Sequence, residues 1–279
     1  MSLKTLLVHV NDKPQCKQQL HVAIRLALDF GARLVAIYLV PGIELTPSLA
    51  ALLPDDVVAR RLEETGAAQA EAEKLFRQAA QVAGLTAIEW RAPSGDPIGA
   101  ASAHARCADL TVIGQPEVDQ PDFRFLDELA QTVALSAGRP TLITPYAGPV
   151  PSPGQRVLVA WDGGREASRA VGDALPILAR AKHVRITAIH RDDGERIADQ
   201  AATSRLADYL HSHGIDAKVD HSSVEAISIG EWLLSRSADL GIDLIVMGAY
   251  AHTRFRELIL GGVTRTMLRS MTVPVLMSH

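Results

Sequence analysis

Cysteine is nearly absent. Cys16 and Cys107 are the two in 279 residues, far apart and in neither a CxxC nor a ladder of pairs. That spacing excludes a disulfide framework and reads as two reduced, buried thiols. There is also no block of Lys and Arg, and the formal charge is −4. Nucleic-acid proteins are usually basic with clustered Lys/Arg, so that partner class is set aside. No apolar run reaches the roughly 20 residues of a membrane span, because Arg25, Asp29 and Arg33 interrupt the best stretch. The opening MSLKTLLVHVND carries too short an apolar run for a secretory leader and reads as a first strand. These absences make a cytoplasmic protein, with neither nucleic acid nor membrane as partner, the expectation. No Gly-x4-Gly-Lys-Ser/Thr occurs, which excludes a P-loop NTPase. The second half holds only Lys182 and Lys218, so the cationic clamp of fast phosphoryl transfer is missing.

What is present fits an ordinary globular protein, with 47% hydrophobic and 22% charged residues. The length suits two domains of about 100–200 residues each. The chain also resembles itself. Ala108-Asp109-Leu110-Thr111-Val112-Ile113-Gly114 matches Ile242-Asp243-Leu244-Ile245-Val246-Met247-Gly248, and Arg139-Pro140-Thr141-Leu142-Ile143 matches Val273-Pro274-Val275-Leu276-Met277. Both matches share one offset, 109 to 243 and 140 to 274. Near the start of each half, Leu6–Asp12 matches Arg156–Asp162, setting Asp12 under Asp162. The surplus residues of the first half fall to the loop Pro41–Pro54 and a longer helix after it.

In the second half, short apolar runs predict strands near 156–161, 184–190, 215–220, 243–248 and 273–278. Helical spacing predicts helices at 166–181, 198–213 and 225–239, with a last one starting near Gly262. Runs such as Leu244-Ile245-Val246-Met247 suit strands covered on both faces. Repeated strand–helix units give a doubly wound parallel sheet. The Pro- and Gly-rich Tyr146–Gly154 reads as the linker between two α/β domains, 1–147 and 154–279.

Such a sheet binds ligands at the carboxyl ends of its strands. Two segments of the second half meet there: Ala160-Trp161-Asp162-Gly163-Gly164, and Gly248 to Arg254 followed by Leu260-Gly261-Gly262-Val263-Thr264-Arg265. Small residues let backbone N–H groups approach an anion, and Gly262-Val263-Thr264 opens a helix whose free N–H donors favour phosphate. Arg254, Arg256 and Arg265 add charge. The same glycines also suit a plain turn and helix cap. The first half is an internal control, placing Glu117, Asp127 and Glu128 under Ala251, Gly261 and Gly262. Each carboxylate about 4 Å from a phosphate would cost on the order of 4 kcal/mol, so the first half is expected not to bind nucleotide this way.

The spacing Gly248-x2-Ala251-x9-Gly261-Gly262 resembles the universal stress protein signature Gly-x2-Gly-x9-Gly-Ser/Thr, and Val273-Pro274-Val275-Leu276-Met277 resembles that family's last strand. The resemblance spans the chain as two tandem domains. It implies five-stranded, mainly parallel, Rossmann-like sheets akin to those of adenine nucleotide alpha hydrolases. It also implies a degenerate first copy and a second copy with a modified ATP motif. On that resemblance Gly248, Ala251, His252, Arg254, Gly261, Gly262, Val263 and Thr264 hold the phosphates of ATP, ADP or AMP, with Mg2+ as an optional companion. Ala160 and Asp162 lie beside the nucleoside, and Ile189-His190 lines the adenine. Ala251 and Gly262 depart from the pattern. If position 251 needs positive φ, alanine costs about 1 kcal/mol there, and the missing hydroxyl at 262 costs roughly 0.5–1.5 kcal/mol.

The resemblance implies regulated binding to an unidentified protein partner, at most weak ATPase activity, and halves packed as a pseudo-dimer through their last strands. Further pairing into a homodimer is left open. The alternatives are a nucleotide-independent scaffold and a slow adenylating enzyme. Asp162-Gly163-Gly164-Arg165-Glu166-Ala167-Ser168 partly matches the pyrophosphate loop of such enzymes but lacks its leading Ser and Asp-Ser pair. His211 and His213 read as helix-end residues favoured by the dipole, not metal ligands.

Overall fold

The computed structural model describes residues 2–40, 54–148, 153–190, 193–223, 228–249, 251–254 and 257–279; side chains at 189–190, 193–199, 222–223, 251–254 and 257–260 are left undescribed. In the first half β1 (Thr5–Val10), α1 (Cys16–Phe30), β2 (Arg33–Tyr38), α2 (Asp55–Ala83) and β3 (Ile88–Arg91) precede α3 (Pro97–Ala105), β4 (Leu110–Gly114), α4 (Phe123–Ser136) and β5 (Thr141–Thr144). The second half repeats this order as β6 (Arg156–Trp161), α5 (Arg165–Leu178), β7 (His183–His190), α6 (Asp193–Ser212), β8 (Ala217–Ser223), α7 (Ile229–Asp239) and β9 (Leu244–Gly248). A hairpin of β10 (Ala251–Arg254) and β11 (Glu257–Leu260) is inserted before α8 (Gly262–Ser270) and β12 (Val275–Ser278).

The strands form one ten-stranded sheet in the order β3-β2-β1-β4-β5-β12-β9-β6-β7-β8. Pairing is parallel within each half, and the halves join where β5 meets β12 antiparallel, Ile143 opposite Val275 and Thr141 opposite Met277. The expected contact through the last strands is therefore a shared ladder. Gln115 ties the seam from the side: its Nε2 donates to the Leu268 carbonyl (2.9 Å), and its Oε1 accepts from the Tyr146 N–H (3.2 Å). The strand runs read as covered on both faces are so: Leu244, Ile245 and Val246 are fully buried, as are Leu6, Val8, Leu110 and Val112. At about 25 cal/mol per Å2 of apolar surface removed from water, these runs dominate the stability of both halves.

The repeated Asp109 and Asp243 have a structural task. Asp243 accepts backbone N–H bonds from Gly154, Gln155 and Arg156, and Asp109 accepts them from Lys4 and Thr5. Each aspartate pins the start of its half's first strand. The pairing also corrects one match made from residue identity. β1 sets Leu6 beside Leu110, and β6 sets Val157 beside Leu244. Leu6 therefore corresponds to Val157, Asn11 rather than Asp12 falls under Asp162, and His9 falls under Ala160.

The longer helix expected after the loop Pro41–Pro54 is present as α2, 29 residues against 20 in α6. Loop positions 41–53 and linker positions 149–152 lie outside the described residues. Only one thiol matches its expectation: Cys16 is buried, and burial pushes its pKa up to about 12, whereas Cys107 is exposed. Among the described residues no helix is long and apolar enough to cross a membrane.

Candidate functional site

The strand order reverses direction between β6 and β9, so connections leave to opposite sides and a crevice opens at the strands' carboxyl ends. A cavity of about 190 Å3 sits there, lined by Ala160, Trp161, Asp162, Thr187, Met247 and Gly248 from the sheet side. Ile229 and Leu233 of α7 and Val263 of α8 close it. Of the residues singled out in the sequence, the cavity brings together Ala160, Asp162, Gly248 and Val263. Gly261 and Gly262 stand at the adjoining start of α8, and Thr264 is buried in its first turn. Ala251, His252 and Arg254 belong to the β10–β11 hairpin, where an open loop was expected; their side chains, and that of Ile189 in β7, lie outside the described residues. Arg256 also lies outside them.

Local rules explain the shape. Gly163 turns the chain with φ +74°, and Asp162 Oδ1 accepts the Gly164 N–H (2.9 Å) just before α5. Gly248 allows the first turn of α5 to press against β9. A Cβ there would lie 2.7 Å from the Ala167 nitrogen and 2.8 Å from the Glu166 carbonyl carbon. Among the described residues a Cβ on Gly262 meets nothing within 4 Å.

Two helix starts border the cavity and differ in what satisfies them. At α7, Ser228 and Glu231 form a reciprocal capping box, and the Ser228 hydrogen bonds hold the Glu231 carboxyl below its usual range. At α8, Gly261 is the N-cap, and among the described residues no side chain caps it. An uncapped helix start leaves N–H donors and a partial positive charge for an outside acceptor. Inside the cavity the Thr187 hydroxyl is buried without a hydrogen-bond partner, in a wall otherwise largely apolar. A buried hydroxyl left unpaired costs on the order of 1–3 kcal/mol, a cost a polar ligand edge would remove.

Thr187, Ile229, Leu233 and Met247 line the cavity but were not singled out as site residues from sequence. One signal was available: Thr187 interrupts the apolar run Ile186-Thr187-Ala188-Ile189, two residues before the wall assigned to Ile189. Among the described residues no three or more His, Cys, Asp or Glu converge as a metal site.

The corresponding face of the first half is built differently. His9 takes the place of Ala160, and a Cβ on Gly114 would run into the Gln19 amide. Glu117 is engaged by the side-chain amides of Gln15 (2.9 Å) and Gln120 (3.3 Å). Asp127 and Glu128 do not occupy phosphate positions, because α4 starts at Phe123 and carries both inside the helix. Of the three expected carboxylates Glu117 lines the first-half crevice, together with Asp12, Glu64 and Asp122.

Comparison with known proteins agrees with this architecture. The model of the universal stress protein family matches residues 2–145 and again 154–279. Universal stress protein Slr1230 of Synechocystis is 26% identical over 153 residues, 52% of this chain and 49% of that protein. The chain thus aligns with about half the length of that relative. A universal stress protein structure from Archaeoglobus fulgidus superimposes with a TM-score of 0.73 at 17% identity, covering 98% of this chain and 97% of that one. A putative universal stress protein from Pseudomonas aeruginosa gives 0.61 at 16% identity, over 99% and 93%. At such identities the structures speak for the fold alone, while the double family match assigns the sequence. The chain belongs to the universal stress protein family, as two tandem domains on one continuous sheet.

Proposed function

We propose that the second domain binds an adenine nucleotide, and that its occupancy regulates association with a protein partner in a stress response. The observation that carries this reading is the uncapped start of α8 beside an apolar cavity holding an unpartnered, buried Thr187 hydroxyl. Ligand pockets commonly run from about 300 to 1,000 Å3, so a cavity of about 190 Å3 suits the base and part of the sugar. The base would lie between Ala160, Met247 and Leu233, and Thr187 would hydrogen-bond one of its polar edges. Asp162 stands where a ribose hydroxyl would come.

The phosphates would lie outside the cavity, against the backbone N–H groups of Gly262 and Val263 at the start of α8. His252 and Arg254 of the hairpin would flank them. Mg2+ would be carried mainly by phosphate oxygens, as that ion commonly is. Among the described residues of the cavity wall no Lys or Arg stands as a cationic clamp, which supports slow ATP hydrolysis at most. The domains would divide at 1–147 and 154–279.

Replacing Thr187 by the near-isosteric valine should weaken ATP about three- to tenfold, the worth of one hydrogen bond. It should raise stability slightly, since an unpaired hydroxyl is removed. Isothermal titration and urea unfolding of the same preparations check both. Unchanged affinity would remove Thr187 from the base contact, and absence of ATP binding in the parent protein would overturn the reading itself.

A further inference from the structure

The first domain keeps a cavity at the same end of its strands, with different chemistry. His9, where the second domain has Ala160, is only 3% exposed, and its Nε2 has no hydrogen-bond partner. Its ring stands edge-on to Phe125, centroids 6.4 Å apart. His9 lines both a slot of about 30 Å3 and a cavity of about 360 Å3, the latter also walled by Tyr38 and Phe125. An imidazole buried with an unsatisfied nitrogen is costly unless something fills the space before it.

The roof over this cavity is purpose-built in length. From Asp55 to Glu71 no residue of α2 is buried; burial begins at Ala72 and continues at Phe76 and Ala80. This overhang serves no core, yet Arg61, Glu64, Thr65 and Ala68 line the cavity. Around the two spaces Lys13 and Arg61 face four carboxylates, Asp12, Glu64, Glu117 and Asp122. With Arg60, which pairs with Glu64 at 2.9 Å, the described residues set three positive charges against these four carboxylates. Tyr38 and Phe125 offer flat apolar surface, and aromatic faces also attract cations.

We propose that the first domain binds a small organic cation, an ammonium group on a flat apolar body, between His9, Tyr38 and Phe125 beneath α2. The ammonium donates to Nε2 of the neutral imidazole and is balanced by Asp12 and Asp122, while the body lies against the aromatic rings. Anionic ligands are disfavoured by the same carboxylates. This site is independent of the nucleotide reading, because it shares no residue with the second-domain cavity.

Phenethylamine is the probe, with phenylacetate as its anionic counterpart, titrated into the full chain. One phenethylamine site per chain is expected, with no phenylacetate binding. Asp122→Asn should weaken phenethylamine at least tenfold, and His9→Ala, which installs the residue of the second domain, should abolish its binding. In the unmodified protein phenethylamine should move the His9 ring resonances in NMR spectra, a readout that requires no variant to fold. No binding at millimolar phenethylamine, equal binding of phenylacetate, unmoved His9 resonances, or full affinity in a folded Asp122→Asn protein would each overturn the proposal.

Discussion

Gly248→Ala lowers stability by about 1–3 kcal/mol, while Gly262→Ala, fourteen positions later in the same motif, leaves it nearly unchanged. The difference comes from what each added methyl meets. At 248 it meets backbone, the Ala167 nitrogen at 2.7 Å and the Glu166 carbonyl carbon at 2.8 Å, and neither swings aside as a flexible side chain does. The first turn of α5 must move off β9, and overpacking of that kind costs on this scale. At 262 the methyl meets none of the described residues within 4 Å. Gly248 and Asp162 both line the cavity, and α5 begins just beyond Asp162, so the same shift distorts the site. Urea unfolding at constant m-value reads the stability. Equal midpoints for the two variants would show that β9 and α5 are not in close contact.

The second large effect is on acid stability. Burial pushes the His9 pKa down from 6.5 to about 4. Above pH 6.5 the ring is neutral in both folded and unfolded chains and adds no pH dependence. Between pH 6.5 and 4 the unfolded chain takes up a proton that the folded chain refuses, so stability falls as pH falls. The loss is complete near pH 4 and amounts to about 3 kcal/mol. Asp12, Lys13, Arg61, Glu64 and Asp122 share the crevice with His9 and are present in parent and variant alike. His9→Ala is expected to be less stable at pH 7, through the space it opens, but to lose about 3 kcal/mol less on going to pH 4. Parallel stability curves for the two proteins would mean that the ring is not held neutral.

Much of the fold was legible because its signals are ladder-bound. The repeats Asp109/Asp243 and Pro140/Pro274 lie on or beside strands, where hydrogen bonding forbids slippage, and their common offset survives intact. The Asp12/Asp162 match failed because both residues lie just past strand ends. Turn residues there can resemble each other without sharing a place, and the strand pairing moves the correspondence by one. The carboxylate argument failed in detail for a similar reason: α4 begins earlier than α8, so Asp127 and Glu128 ride within a helix.

The candidate site was legible where backbone geometry dictates residue type, at Gly248. It was not legible at Thr187, Leu233 and Met247, because an apolar residue lining a pocket carries the same pattern as one filling a core. The β10–β11 hairpin was missed because Ala251–Arg254 is a short strand of mixed character that pairs only with its own neighbour. The seam is the opposite case: Thr141–Thr144 and Val275–Ser278 read plainly as final strands, and each leaves one edge for the other.

The central claim is that the second domain alone holds a nucleotide, with its phosphates at the start of α8. Calorimetric titration of ATP into the nucleotide-stripped full chain, beside Gly261→Glu, tests it most directly. The account predicts close to one ATP per chain and none in the variant, whose added carboxylate would face the phosphates at an uncapped helix start. No heat up to millimolar ATP, or unimpaired binding in Gly261→Glu, would contradict it.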